Sequence, residues 1–405
     1  MTQYTIERLG LFGDGIAEGP VFAPMTLPGE VVTGQLDGST LRDVKIVTPS
    51  DMRVSPPCRH FNACGGCSLQ HAADPLVAKW KTDVVAQALA AQGVVTNIRP
   101  ILTSPPNSRR RATFAAKRTK KGAMVGFHGR GSDVLIETPD CQLVAPELLA
   151  GMDIARDLAG LGASRKAALA VTVTTSLTGL DVQVENGKPL DGPLRHELAS
   201  LCETRQFARL AWGDEVIGMR VPPVQQFGAA QVAPPPGAFL QATHHGEASL
   251  LAAVKEAVGD AKRIIDLFAG SGTFTLPLAA QAEVHAVEGA ADMLEAMDKG
   301  WRMAKGLKTV THQARDLFRR PLLPDEFRKH DAVVIDPPRA GAEAQTVELA
   351  KSGIARIAFV SCNPVTFARD AKTLDDAGYD LVWVQPVDQF RWSPHIELAA
   401  QFVAR

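Results

Sequence analysis

Arg263-Ile264-Ile265-Asp266-Leu267-Phe268-Ala269-Gly270-Ser271-Gly272 is the stretch that decides the fold. It opens as a short apolar run, as expected of a strand buried in a parallel sheet, and closes as a glycine turn. Helical periodicity precedes it from His244 to Val258 and follows it from Phe274 to Ala282. Three further runs keep the alternation: Glu283-Val284-His285-Ala286-Val287-Glu288, Asp331-Ala332-Val333-Val334-Ile335-Asp336 and Arg356-Ile357-Ala358-Phe359-Val360-Ser361. Strands alternating with helical segments predict an α/β fold over residues 237–405, a doubly wound, Rossmann-like, mainly parallel sheet. In such sheets ligands bind beyond the carboxyl ends of the strands, so the residues that close each run are candidates for chemistry.

Those closing residues are acidic or nucleophilic. Gly270-Ser271-Gly272 after a strand suggests a nucleotide, but the third glycine of a dinucleotide fingerprint is missing. Asp266, just ahead of the loop, would repel a pyrophosphate. S-adenosylmethionine suits the loop better, since it has no phosphate and carries ammonium and sulfonium cations. Glu288 is placed to accept from both ribose hydroxyls, and Asp316, after Val310-Thr311-His312, to meet the adenine amino group. Asp336-Pro337-Pro338-Arg339 fixes another carboxylate at a turn. Ser361-Cys362-Asn363-Pro364 puts a thiol at a strand tip, where its thiolate is suited to attack carbon. The last segment, from Asp388-Gln389-Phe390 to Ser393-Pro394-His395-Ile396-Glu397, adds His395 and Glu397.

Upstream, residues 1–54 alternate short strand-like runs with Gly and Pro, which predicts a small β-barrel. Cys58, Cys64 and Cys67 then cluster among Pro56-Pro57 and Gly65-Gly66, and Cys141 follows after a long interval. Four thiolates fit either tetrahedral zinc or an iron–sulfur cube, and three close Cys plus one remote Cys is the more cluster-like pattern. Residues 93–236 are expected to be largely β. They carry Arg109-Arg110-Arg111, Lys117-Arg118 and Lys120-Lys121 with no acid between Ser104 and Asp133. That run is the candidate for binding phosphates, with Phe114 and Phe127 for stacking. Pro234-Pro235-Pro236-Gly237 looks like a hinge.

With 405 residues the chain should hold two or three domains, and a net charge of −1 gives no global field to attract a polyanion. Met1 to Gly10 carries Glu7 and Arg8 and lacks the apolar core of a secretory leader, and no run of eighteen apolar residues occurs. Six Cys are too few for a disulfide scaffold in a chain this long. A cytoplasmic protein without a membrane partner is expected.

Two resemblances follow from these residues. Gly13-Asp14-Gly15-Ile16-Ala17, Val21-Phe22-Ala23-Pro24 and Leu27-Pro28-Gly29-Glu30 resemble the TRAM domain, an oligonucleotide-binding-type barrel of RNA-modifying enzymes. The cofactor loop, Asp336-Pro-Pro-Arg, Ser361-Cys-Asn-Pro with Arg369-Asp370, and Asp388 to Glu397 resemble the RNA uracil-C5 methyltransferases that form 5-methyluridine, in particular the iron–sulfur branch acting on large-subunit ribosomal RNA. The resemblance implies four regions: a barrel (1–54), a cysteine-rich segment (55–92), a central β-rich RNA-binding domain (93–236) and a methyltransferase domain (237–405). It implies a [4Fe–4S] cluster on Cys58, Cys64, Cys67 and Cys141, and S-adenosylmethionine contacts from Gln241, Phe268, Thr273, Glu288, Asp316 and Asp336. Cys362 would be the nucleophile and Glu397 the general base of a monomeric enzyme. Thr273 stands where many members have Asn, Arg391 where Pro is frequent and Ser393 where Thr is frequent. Transfer RNA is the alternative substrate. An amino-group methylase with an Asp-Pro-Pro motif would not need Cys362, and a non-catalytic RNA-binding protein would need neither Cys362 nor Glu397.

Overall fold

The computed structural model describes residues 2–164 and 166–405. At the amino end Gln3–Leu9, Gly15–Ala17, Val21–Ala23, Val31–Asp37 and Thr40–Thr48 close into a barrel. Alternate residues point inward, so Ile6, Ala17, Val21, Ala23, Val32 and Leu41 fill it. The cysteine-rich loop comes next and leads into the helix Asp74–Ala91.

The central region is a seven-stranded sheet, but it is less purely β than expected. Two helices, Pro146–Gly162 and Gly192–Thr204, pack against it. The first has its buried residues at helical spacing, among them Leu148, Met152, Ala155, Leu158 and Ala159. Pro234 to Gly237 is pinned, with Arg209 donating to the Pro234 carbonyl at 2.8 Å and Arg111 to that of Gly237 at 2.9 Å.

The carboxyl-terminal unit is the doubly wound sheet. Its strands run in the order Val310–Ala314, Glu283–Glu288, Arg263–Leu267, Ala332–Ile335, Arg356–Ser361, Glu397–Ala404, Tyr379–Asp388. The first five are mutually parallel; Glu397–Ala404 is antiparallel to its neighbours on both sides. Two short strands, Asn97–Ile98 and Leu102–Thr103, extend the sheet by pairing with Tyr379–Asp388. Helices such as His244–Val258 and Pro364–Asp376 cover its faces, and both sides are apolar core. The helix expected over Phe274 to Ala282 is a single turn, Thr275–Leu278. Pro277 lies in its first turn, where a missing N–H is tolerated, and the N–H groups of Leu278 and Ala279 still bond the carbonyls of Phe274 and Thr275 at 3.1 and 3.0 Å.

Candidate active site

The sheet register assembles the site. Order reverses between Arg263–Leu267 and Ala332–Ile335, the switch point where open α/β sheets bind ligands. Phe268, Glu288, Asp336 and Cys362 all stand at carboxyl ends of parallel strands. The antiparallel strand contributes from its other end: Ser361 pairs with Leu398 at the last rung, and Cys362 and Glu397 each lie one residue beyond it and line the same cavity. A cavity of about 980 Å³ opens over these ends. Gln241, Phe268, Glu288, Asp316, Asp336, Cys362 and Glu397 line it. Thr273 does not; it lies half-buried in the turn below.

Hydrogen bonds hold the acids in place. Glu288 accepts from the Gly270 N–H at 3.0 Å through Oε2 and from the Ala290 N–H at 3.0 Å through Oε1. Asp316 Oδ1 accepts from the N–H groups of Phe318 at 3.0 Å and Arg319 at 3.3 Å. Asp336 Oδ2 accepts from Gln241 Nε2 at 3.3 Å. Asp266, just ahead of the loop, is fully buried and accepts from the Thr275 hydroxyl at 2.6 Å. It anchors the glycine turn from beneath.

Burial dominates the electrostatics. It pushes Asp336 up to about 7, with Asp266 adding to the effect. Burial likewise pushes Asp266 up to about 7, against its bonds to Thr275. Glu397 is raised well above the usual carboxylate range by burial and then by Asp336, while Gln389 and Arg339 oppose. The Cys362 thiol is pushed up to about 12 by burial, then by Glu397 and Asp336, with Arg339 again opposing. Without a cation, burial therefore favours the protonated forms of Asp336 and Glu397 and the neutral thiol of Cys362.

Other residues complete the wall. Phe239, Met293 and Phe318 supply apolar and aromatic surface, and Phe318 lies 5.5 Å from Phe268, ring to ring. Gln389 donates to Gln241 Oε1 at 2.6 Å and so links Gln241 to the neighbourhood of Glu397. No spacing in the sequence marks Phe239 or Met293, whereas Gln389 and Arg339 sit inside motifs whose acids drew the attention. Arg109, Gly65, Gly66 and Ser68 also line the cavity, although they precede the catalytic sheet in the chain.

The four cysteines converge. Cys58, Cys64, Cys67 and Cys141 line a second cavity of about 290 Å³, which shares Gly66 and Arg109 with the first. Burial raises the Cys67 thiol to about 12, and Cys141, Cys64 and Cys58 reinforce the shift. The Gly66 N–H points at Cys64 Sγ at 3.4 Å, and the N–H groups of Val144 and Leu143 favour the thiolate of Cys141. Gly65 lets this loop lie against the central sheet, because a Cβ there would stand 3.0 Å from the His128 carbonyl oxygen. Among the described residues no group of three or more His, Cys, Asp or Glu forms a set for a single metal ion.

The basic stretch divides. Arg110 is 2 % exposed, donates to the Gln241 carbonyl at 2.9 Å and is ion-paired with Glu247, so it is structural. Arg109 lies 5.9 Å from the centre of the Phe390 ring, between the two cavities. Lys117, Arg118, Lys120 and Lys121 are exposed on the hairpin Arg111–Thr119/Gly122–His128. Phe114 is buried and Phe127 half-buried against it at 5.4 Å, so neither is a free stacking platform.

Comparison with known proteins agrees with this architecture. The family described as tRNA (Uracil-5-)-methyltransferase matches residues 234–404. An RNA methyltransferase of Caulobacter vibrioides is 45 % identical over 99 % of this chain and 100 % of its own. The 23S rRNA (uracil(1939)-C(5))-methyltransferase RlmD of Shewanella amazonensis is 32 % identical over 98 % of this chain and 94 % of its own. The structure of Pyrococcus abyssi tRNA (uracil-54, C5)-methyltransferase with S-adenosyl-L-homocysteine superposes with a TM-score of 0.75 over 99 % of both chains at 22 % identity, a shared fold. No helix among the described residues is long and apolar enough to cross a membrane. Related along nearly its whole length to these proteins, the chain belongs to the S-adenosylmethionine-dependent RNA (uracil-5-)-methyltransferase family.

Proposed function

We propose that this enzyme methylates uridine in 23S ribosomal RNA through a covalent bond from Cys362 to C6 of the base, with Glu397 as the proton acceptor. The observation that carries this is the strand register, which ends with Ser361 opposite Leu398 and so leaves the Cys362 thiol and the Glu397 carboxylate each one residue beyond that rung, in one cavity. Uracil C5 is a poor nucleophile and bears a hydrogen that must leave. Cys362 thiolate adds to C6, and the displaced π electrons make C5 enolate-like. C5 then takes the methyl group from the sulfonium, leaving S-adenosylhomocysteine. Glu397 removes the C5 proton, the C6–S bond breaks and the Cys362 thiolate returns. Cys362, Asp336 and Glu397 all ionise more readily once the positive charge of S-adenosylmethionine is in the cavity. Gln241, Phe268, Glu288, Asp316 and Asp336 hold that cofactor. Thr273 is left out of its contacts, because it does not line the cavity. The similarity to the Shewanella enzyme along both chains supports ribosomal RNA as the substrate.

Cys58, Cys64, Cys67 and Cys141 are proposed to hold a [4Fe–4S] cluster. Four converging thiols, N–H groups aimed at two of them and the nearby Arg109 and Arg130 suit a bound anionic cluster. When bound it would order the loop that walls the active site.

Single turnovers on RNA test the roles. Cys362→Ala should abolish methylation and give no protein–RNA adduct. Glu397→Gln should transfer the methyl group and then stall, leaving a denaturant-resistant band. Methylation by Cys362→Ala would overturn the covalent route, and an inactive Glu397→Gln without adduct would remove Glu397 from the base role. Mapping 5-methyluridine in RNA from cells lacking the gene tests the substrate.

A further inference from the structure

One buried cation holds the loop that delivers Glu397. The loop leaves the strand Tyr379–Asp388 and enters the strand Glu397–Ala404. Lys81, on the helix Asp74–Ala91, has 0 % of its side chain exposed. Its ammonium carries three protons and faces three acceptors: Asp388 Oδ1 at 2.7 Å, the Phe390 carbonyl at 3.4 Å and the His395 carbonyl at 2.9 Å. Two of these stand at the start of the loop and one at its end. A buried ammonium is tolerated only when paired and fully bonded, and an apolar side chain would pack a helix without that demand.

The same segment grips the middle of the loop. The N–H groups of Ser68 and Leu69 both donate to the Trp392 carbonyl, at 2.7 and 3.0 Å. Arg391 pairs with Asp74 at 2.6 Å. Trp392 adopts φ of 61°, a left-handed conformation unusual for a bulky residue, and packs with Phe61 and Cys67. Such backbone persists only where its surroundings over-determine it.

We propose that Lys81 is a positioning residue for the proton-removal step, tying both ends of the loop to one point so that Glu397 meets C5 of the uracil. This rests on Glu397 being the base. Lys81 does not line the active-site cavity. Its loss should therefore slow elimination selectively, while Cys362 and the cofactor cavity still work.

The test compares Lys81→Met with Lys81→Met/Asp388→Asn, because the single change leaves a buried, unpaired carboxylate and risks misfolding. In single turnovers, methyl incorporation and decay of the denaturant-resistant adduct are followed separately, with Glu397→Gln run alongside. Methyl transfer should stay within about threefold of wild type while the adduct decays roughly ten- to hundredfold more slowly, the loss expected from a misplaced group. A double variant that releases RNA at the wild-type rate overturns the proposal, as does equal slowing of both steps with weakened cofactor binding. If Glu397→Gln traps adduct and the Lys81 variants do not, only the role of Lys81 fails. If Glu397→Gln traps none, the base assignment itself fails.

Discussion

The two cavities are built oppositely. The larger one sits where parallel strands end, and its carboxylates come from a regular scaffold. The smaller one is walled chiefly by loops, and its four thiols come from a glycine-containing turn and one distant residue. Both gather groups whose ionised forms are disfavoured by burial. They differ in what would relieve that charge. The strand-end cavity suits a small cation that arrives and leaves with each turnover, whereas the thiol cavity, on the proposed function, would keep its metal cluster in place. Gly66 and Arg109 belong to both walls, so disturbance of the resident site should reach the transient one.

The largest expected effect breaks the resident site. Cys141→Ser should purify without stoichiometric iron and melt at a lower temperature, and it should bind RNA and S-adenosylmethionine more weakly through the shared wall. Cys202→Ser is the control, since Cys202 is packed in the core of the central sheet and should leave iron content unchanged. Iron retained by Cys141→Ser would remove that residue from the ligand set.

Asp336→Asn sharpens the transient site. Loss of a charge-assisted bond should weaken S-adenosylmethionine binding by roughly ten- to hundredfold in calorimetry, with a smaller loss for the uncharged sulfur of S-adenosylhomocysteine. The pH dependence has a definite sign. Asp266 and Asp336 are raised from 3.8 to about 7, so the folded state holds their protons more tightly than the unfolded chain. Their contribution to stability is greatest below the unfolded value, falls as pH rises toward about 7 and then levels. The difference in melting temperature between cofactor-free wild type and Asp336→Asn should follow that window, and saturating S-adenosylmethionine should compress it.

The smallest effect separates the basic residues. Replacing Lys117, Arg118, Lys120 and Lys121 by Ala should leave the fold and cofactor binding intact while flattening the salt dependence of RNA affinity by roughly three log units per log unit of salt. Arg110→Ala should instead lower the melting temperature, because it strands Glu247, which is itself largely buried. An unchanged slope in the hairpin variant would make that face merely solvated.

The legible parts of the molecule are those fixed locally. The parallel strands were readable because burial on both faces demands short apolar runs, and the run endings then named Glu288, Asp336 and Cys362. That the four cysteines share one cavity was readable only in part: three of them cluster in sequence, while Cys141 lies far along the chain. The fate of Arg110 was not, because only the tertiary structure sets it beside Glu247, far along the chain. Phe114 was misjudged for a related reason, since an aromatic in a basic strand carries no mark of the face it occupies. Lys81 lies in an ordinary helix, and the acceptors that explain it come from more than three hundred residues later.

That separation has a consequence for biosynthesis. Ser68, Leu69 and Lys81 must wait for Trp392, Asp388 and His395, so the loop that enters the last strand completes contacts begun by the cysteine-rich loop and the first helix. Contacts this distant close late and slowly. Domains generally fold in order as the chain emerges, and here the barrel and central sheet can precede the catalytic sheet. The nascent polypeptide therefore has no fixed position for Glu397 until translation has passed that loop. A product truncated before it would keep the barrel and central sheet but lack the residue proposed as the base.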